Sequence, residues 1–164
     1  MNTLENILEL TDEKFNQKMK GEINFHLLIE HEDSIDRLKK LFKRSISSQE
    51  LSGYMETILR RILAIDSNDL STLIILSWEL WFLGEEEESQ NFLSRAKLVS
   101  PGNKWVLYLE TALSSNVEIK ISILEKLLEK EPHNQQIFHN LNTLKSGISN
   151  SVLAFNFDEC MSSW

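Results

Sequence analysis

The sequence contains few of the residues that mark several common classes of protein. Its 164 residues include one cysteine, two prolines and five glycines. The single cysteine, Cys160, excludes an internal disulfide framework and a cysteine-rich zinc site. The scarcity of proline and glycine disfavours a many-stranded sandwich or barrel, which needs frequent turns, and it favours long helices.

Long apolar runs are also missing. No stretch approaches the roughly 18 apolar residues of a membrane span. The first residues, Met1 to Glu5, have neither the basic segment nor the apolar run of a signal peptide. With 41% hydrophobic residues the chain can bury a substantial core. We therefore expect a cytoplasmic protein without a membrane partner.

Acidic residues outnumber basic ones and give a formal net charge of -8. This balance disfavours nucleic acid, because binding to phosphates requires clustered bases. Residues 37–44 are rich in Lys and Arg, but Leu38 and Phe42 lie between these residues at the spacing of one helix face. Apart from Phe42 on that apolar face, no aromatic residue is placed among them to stack on nucleotides. An acidic surface favours a basic protein partner, mainly through the association rate, although the same charge also keeps a small domain soluble.

Three turn signals recur along the chain, at Asp66-Ser67-Asn68, Pro101-Gly102-Asn103 and Pro132-His133-Asn134. They lie 35 and 31 residues apart, and each separates two apolar helical segments. Proline stops a helix, and Asn or Ser beside it can cap the next one. A period in this range predicts an array of helix hairpins.

The middle unit is the clearest of these hairpins. The spacing predicts one helix over Leu70–Leu83, a break at Gly84, and a second helix that starts with the four glutamates 85–88 and runs to about Val99. Carboxylates in a first turn interact favourably with the helix dipole. Since adjacent helical positions point in different directions, we interpret the glutamates as a helix start and not as a metal site.

This unit resembles a tetratricopeptide repeat, a pair of antiparallel helices whose first helices line a concave groove. The matching positions share the sizes that the family pattern requires, with leucine in place of the usual aromatic residue at position 80. They are Leu73, Leu76, Ser77, Leu80, Gly84, Ser89, Leu93, Ala96 and Pro101. The resemblance implies an all-α fold in which antiparallel helix hairpins stack as a short tetratricopeptide-like superhelix.

The neighbouring units match the pattern less closely. Leu127 stands at the alanine position of the following unit, which Pro132 closes, and Arg61 stands there in the preceding one. We predict a single domain over residues 1–164. Its parts are N-terminal helices over 1–32, helical repeats over 33–146 with a capping helix at 133–146, and a C-terminal segment over 147–164.

The resemblance also implies a binding surface, because the concave groove receives residues from successive first helices. The expected partner contacts are Ile74, Trp78, Trp81, Trp105, Tyr108 and His139. Trp and Tyr dominate binding hot spots because they bury a large area at low entropic cost. The chain's own segments, residues 1–32 or the apolar run 152–157, would fill such a groove equally well, so this alternative stays open.

No pattern in the sequence indicates catalysis. His26 and Glu30 are four residues apart and supply two metal ligands at most, and the zincin motif is absent. No glycine-rich phosphate loop appears, and Cys160 has no histidine near it in sequence. We expect no catalytic residue, no metal and no cofactor.

The function that these features favour is non-catalytic protein binding through a concave aromatic groove and an acidic surface. Two versions are an immunity protein or antitoxin that blocks a basic toxin domain, and an adaptor or chaperone. The alternative is a structural homo-oligomer, such as a homodimer, that uses the aromatic surface as its own interface. An enzyme with an unrecognised site comes third.

Overall fold

The computed structural model describes residues 4–10, 14, 24–48, 52–147 and 157–161. Every regular element in these ranges is helical, which confirms the predicted all-α class. The helices are α1 (Leu4–Leu8), α2 (Phe25–Glu30), α3 (Ile35–Ile46), α4 (Met55–Ile65, after a 3-10 turn at Ser52–Tyr54), α5 (Leu70–Phe82), α6 (Glu86–Val99), α7 (Lys104–Leu113), α8 (Val117–Lys130), α9 (Gln135–Lys145) and α10 (Phe157–Cys160). The chain forms two compact units, with the boundary between Thr72 and Leu73.

In the first unit, α3 packs against α4 and α1, and α2 packs against α4. The core residues are Leu38, Leu41, Phe42, Ile58, Leu59 and Ile62, all fully buried. Two basic residues of α3 make hydrogen bonds to other parts of the first unit. Lys39 Nζ donates to Asp69 Oδ2 at 2.6 Å, and Arg44 donates to the carbonyls of Leu8 and Leu10. Lys39 and Arg44 therefore fix local structure, whereas the helical spacing predicts solvated bases; the burial of Leu38 and Phe42 agrees with that spacing.

Arg61 on α4 makes hydrogen bonds to residues outside its own helix. Its Nε donates to the carbonyl of Glu32 at 2.9 Å, and its NH2 group donates to Asp33 Oδ1 at 2.7 Å. Its guanidinium thus ties α4 to the segment between α2 and α3. These hydrogen bonds are stronger than those between neutral groups because the guanidinium is charged.

In the second unit, short turns of three or four residues join consecutive helices from α5 to α9. Neighbouring helices α6 and α7, α7 and α8, and α8 and α9 pack against each other, so they are antiparallel hairpin partners. The second and third turn signals predict these turns correctly. The side chains of Asn103 and Asn134 accept hydrogen bonds from the first turns of α7 and α9.

Helices α5 and α6 approach closely through a pair of serines. Ser77 Oγ donates to the carbonyl of Ser89 at 2.8 Å, and Ser89 Oγ donates to the carbonyl of Ser77 at 2.7 Å. Both residues are fully buried. Small side chains let the two backbones approach, and the reciprocal bonds satisfy both hydroxyls inside the contact.

Gly84 ends α5 with a left-handed backbone, φ 86°. The N–H of Glu85 bonds to the carbonyl of Leu80 and that of Gly84 to the carbonyl of Trp81, which is a Schellman motif. The predicted helix limit at Leu83 is one residue too long, because Leu83 lies in this turn and is 61% exposed. The glutamate run starts α6 as predicted, with Glu85 at the N-cap and three glutamates in the first turn.

Candidate functional site

The first aromatic pair lies on α5. Trp78 and Trp81 are three residues apart, so they share one face of the helix, and their ring centroids are 5.3 Å apart at an interplanar angle of 42°. Both side chains are half-buried. Just beyond them, Phe82 is 76% exposed. The C-terminal end of α5 therefore presents aromatic surface directly before the acidic start of α6.

The second aromatic pair has the same spacing on α7. The ring centroids of Trp105 and Tyr108 are 5.5 Å apart, and the interplanar angle is 33°. Trp105 is half-buried and packs against the apolar cluster of α7, α8 and α9, whereas Tyr108 belongs to that cluster and is 9% exposed. The Lys104 ammonium lies over the Trp105 ring, 4.7 Å from its centroid.

A polar network fixes this second pair at the turn between α8 and α9. The Tyr108 hydroxyl donates to Glu131 Oε2 at 3.0 Å, and Asn134 Nδ2 donates to the same oxygen at 2.8 Å. Lys104 Nζ donates to Glu131 Oε1 at 3.1 Å and to Glu159 Oε1 of α10 at 3.0 Å. Three donors from three places in the sequence thus converge on the carboxylate of Glu131.

Opposing effects set the charges in this network. Burial disfavours the ionised form of Glu131, but the hydrogen bonds from Asn134, Lys104 and Tyr108 outweigh it and hold the pKa of that carboxyl below its usual value. Burial, together with the adjacent carboxylate, raises the pKa of Tyr108 far above its usual value. The network is therefore a neutral phenol bonded to a carboxylate anion across the neutral pH range.

Glu79 lies between Trp78 and Trp81 in sequence, and its pKa shifts in the direction opposite to that of Glu131. Burial raises the pKa of its carboxyl. This half-buried acid consequently favours its neutral form in the folded protein more than it does in water.

The two remaining residues of the predicted surface lie in different environments. Ile74 is 1% exposed. His139 lies on the exposed side of α9, beside Phe138, which is 57% exposed. Of the segments that might fill the groove, residues 152–156 lie outside the described residues, as do Phe15, Met19 and Ile23. In the described part of the first segment, Leu4, Ile7, Phe25 and Ile29 are buried.

A groove that no sequence pattern predicts lies between α6 and α8, with residues of α7 in its lining. One part, with a volume of about 440 Å³, is lined by Leu107, Ile119 and Ile123 among others. A second part of about 330 Å³ continues it toward Leu113. The Lys97–Glu110 ion pair lines both parts. Ile119, which is exposed at the start of α8 as Val117 is, is the apolar signal of this groove in the sequence.

The candidate catalytic and metal-ligating residues do not come together. In the described ranges, no three His, Cys, Asp or Glu side chains are grouped to hold a metal ion. The imidazole of His26 contacts the ring of Tyr54, with 5.0 Å between ring centroids and a tilt of 59° between the rings. Cys160 is 1% exposed, and burial raises the pKa of its thiol to about 12. None of the helices that the structure describes has the length and apolar content needed to cross a bilayer.

Comparisons of the chain with protein-family models, with curated proteins and with solved structures found no significant match. The resemblance to tetratricopeptide repeats thus stays a prediction from residues such as Ser77, Ser89 and Ala96.

Proposed function

We propose that this protein is a non-catalytic, cytoplasmic protein-binding module of the tetratricopeptide-like kind. The observation that carries the proposal is the Trp78–Trp81 pair, two large aromatic side chains in mutual contact that stay half-buried. Partly exposed tryptophans at helical spacing match the anchors of binding hot spots. On this proposal the partner contacts Trp78, Trp81 and the exposed edge of Trp105. Tyr108 supports that surface from the core, and His139 extends it on α9.

The chemistry around the tryptophan pair supports a basic partner. Exposed Phe82 and Leu83 are followed, after Gly84, by Glu85, Glu86 and Glu87, all exposed. A partner segment with an apolar anchor flanked by Lys or Arg would match this order of apolar and acidic surface. The acidic groups would raise the association rate more than the equilibrium affinity. We propose stoichiometric capture, either by an inhibitor of the immunity type or by an adaptor.

Affinity capture of the tagged protein from its native lysate, at low and at high salt, tests this function. We expect one basic protein in stoichiometric amount at low salt and much less of it at high salt, because salt screens exposed charges. Trp81→Ala should lose this protein. Phe138→Ala, which removes an exposed aromatic ring from α9, is the matched control and should retain it. Retention of the same protein by both variants would contradict the proposal.

The second candidate is a homo-oligomer. The exposure of Phe82, 76%, and Leu83, 61%, beside Trp81 favours it, since a second copy could cover this apolar end of α5. Light scattering after size exclusion separates the candidates. A dimer that Trp81→Ala converts to monomer would favour the homo-oligomer, and a monomer at all concentrations would leave partner capture.

A further inference from the structure

Helix α10 contacts the Lys104 end of α7. Glu159 Oε1 accepts a hydrogen bond from Lys104 Nζ at 3.0 Å, and Lys104 in turn lies over the ring of Trp105. The next two residues are buried, Cys160 with 1% and Met161 with 4% exposure. This helix is therefore a docked element whose charged contact is the cation beside one of the proposed partner-binding tryptophans.

The contacts that hold α10 on α7 are weak enough for α10 to detach while the other helices stay folded. Helix α10 has four residues, far fewer than the roughly 12 to 15 that an isolated helix needs, so its helical form depends on docking. The side chains of its ion pair are 36% exposed at Lys104 and 53% exposed at Glu159, which makes the pair weak and sensitive to salt.

Release would also leave Lys104 with a partner. Its ammonium already donates to Glu131, so departure of Glu159 exposes no unpaired buried charge. The Tyr108–Glu131–Asn134 bonds do not involve α10 either. The hydrogen bonds to Glu131 from Lys104, Tyr108 and Asn134 therefore do not require α10.

We propose that α10 is a displaceable clasp, which undocks from the Lys104 end of α7 without unfolding the second unit and so controls access to Lys104 and Trp105. Undocking is a property of the chain itself, and its regulatory consequence rests on the proposed partner-binding function. A partner that engages Trp105 from this side must first displace Glu159 from Lys104.

Cys160 provides the test, because it is the one cysteine of the chain and lies within the clasp. Docking buries the thiol and raises its pKa to about 12, so a thiol reagent such as a maleimide labels it only when α10 is released. The labelling rate of the full-length protein under native conditions thus measures undocking. No partner is needed, so a failed capture experiment does not affect this result.

Met161→Ala removes a buried anchor of the clasp. We expect it to increase the labelling rate at least tenfold, with little change in the free energy of unfolding of the remaining helices. Leu144→Ala is the matched control, since Leu144 is equally buried but belongs to α9. It should lower global stability and leave the labelling rate unchanged. If labelling instead follows global stability in both variants, α10 is an integral part of the core and the proposal is wrong.

Glu159→Gln tests the charged contact and does not depend on how Met161→Ala folds. We expect labelling to increase about two- to fivefold, the range for an exposed ion pair, and sodium chloride to produce a similar increase in the wild type. Glu125→Gln, which removes the exposed ion pair with Lys145, is the control and should have no effect. Equal labelling of wild type and Glu159→Gln at all salt concentrations would overturn the role of Lys104.

Discussion

The two aromatic pairs of the second unit have the same spacing and nearly the same ring separation, yet they stand in different surroundings. Tyr108 is buried, and its hydroxyl is bonded to Glu131, so this member of the α7 pair is part of the core, whereas Trp105 stays half-buried at its edge. Trp78 and Trp81 contact each other and remain half-buried. Identical sequence spacing thus buries Tyr108 as structural support, whereas Trp78, Trp81 and the half-buried Trp105 keep exposed surface for a partner.

The largest expected effect is a difference in stability between alanine variants of the two aromatic pairs. Tyr108→Ala should lower the free energy of unfolding by about 3–5 kcal/mol, because it removes a buried ring from the core cluster. Trp81→Ala should lower it by less than about 2 kcal/mol, since part of that ring is in water already. Chemical denaturation followed by circular dichroism measures both values. Equal losses would show that the α5 pair is also a core element.

A second prediction isolates the polar network. Tyr108→Phe keeps the ring and removes the hydroxyl that donates to Glu131, so it should cost about 1–2 kcal/mol. Combined with Glu131→Gln in a double-mutant cycle, it should show a coupling energy of at least about 0.5 kcal/mol. Additive losses in the cycle would mean that this hydrogen bond contributes nothing to stability.

The pH dependence of Glu131 follows from the lowered pKa of its carboxyl. A carboxyl whose folded pKa lies below the unfolded one stabilises the protein above the unfolded pKa, and this contribution is lost as pH falls through the folded pKa. Glu131→Gln should therefore be less stable than the wild type at pH 7, and the two should converge in acid. A difference that does not change with pH would contradict the assigned cause.

The smallest expected change in stability is that of Glu79→Gln, and its sign at pH 7 is opposite to that of Glu131→Gln. Because burial raises the pKa of the Glu79 carboxyl, its contribution to stability is fully present below the unfolded pKa and is lost as pH rises through the folded pKa. Glu79→Gln should consequently be more stable than the wild type at pH 7, by less than about 1 kcal/mol, with the gain disappearing in acid. Thermal unfolding at several pH values measures it, and a loss of stability at pH 7 would refute the prediction.

Local features of the fold could be predicted from the sequence because they depend on neighbouring residues. Gly84 ends α5, and Asn103 and Asn134 begin the helices that follow them, each through backbone groups within a few residues. The first turn signal also places its turn correctly, at Ser67 and Asn68, but the residue that caps α5 is Asp69, whose Oδ1 accepts a hydrogen bond from the Thr72 N–H. Helix identity and approximate limits therefore follow from short-range chemistry.

The difference between the two aromatic pairs could not be predicted in this way. Tyr108 is fixed by Glu131, 23 residues away, and Lys104 by Glu159, 55 residues away. Nothing in the residues around Tyr108 distinguishes it from Trp81, because burial depends on which helices pack over each face. The groove between α6 and α8 was missed for the same reason, since its lining comes from three helices.

Hydroxyl-radical footprinting of the free and the captured protein, resolved by residue with mass spectrometry, tests the central claim most directly. In the free protein we expect Trp78 and Trp81 to react faster than Tyr108. In the captured protein both tryptophans should become protected, while Phe138 keeps its reactivity. Unchanged reactivity of Trp78 and Trp81 in a stoichiometric complex would contradict the assignment of this pair as the partner-binding surface.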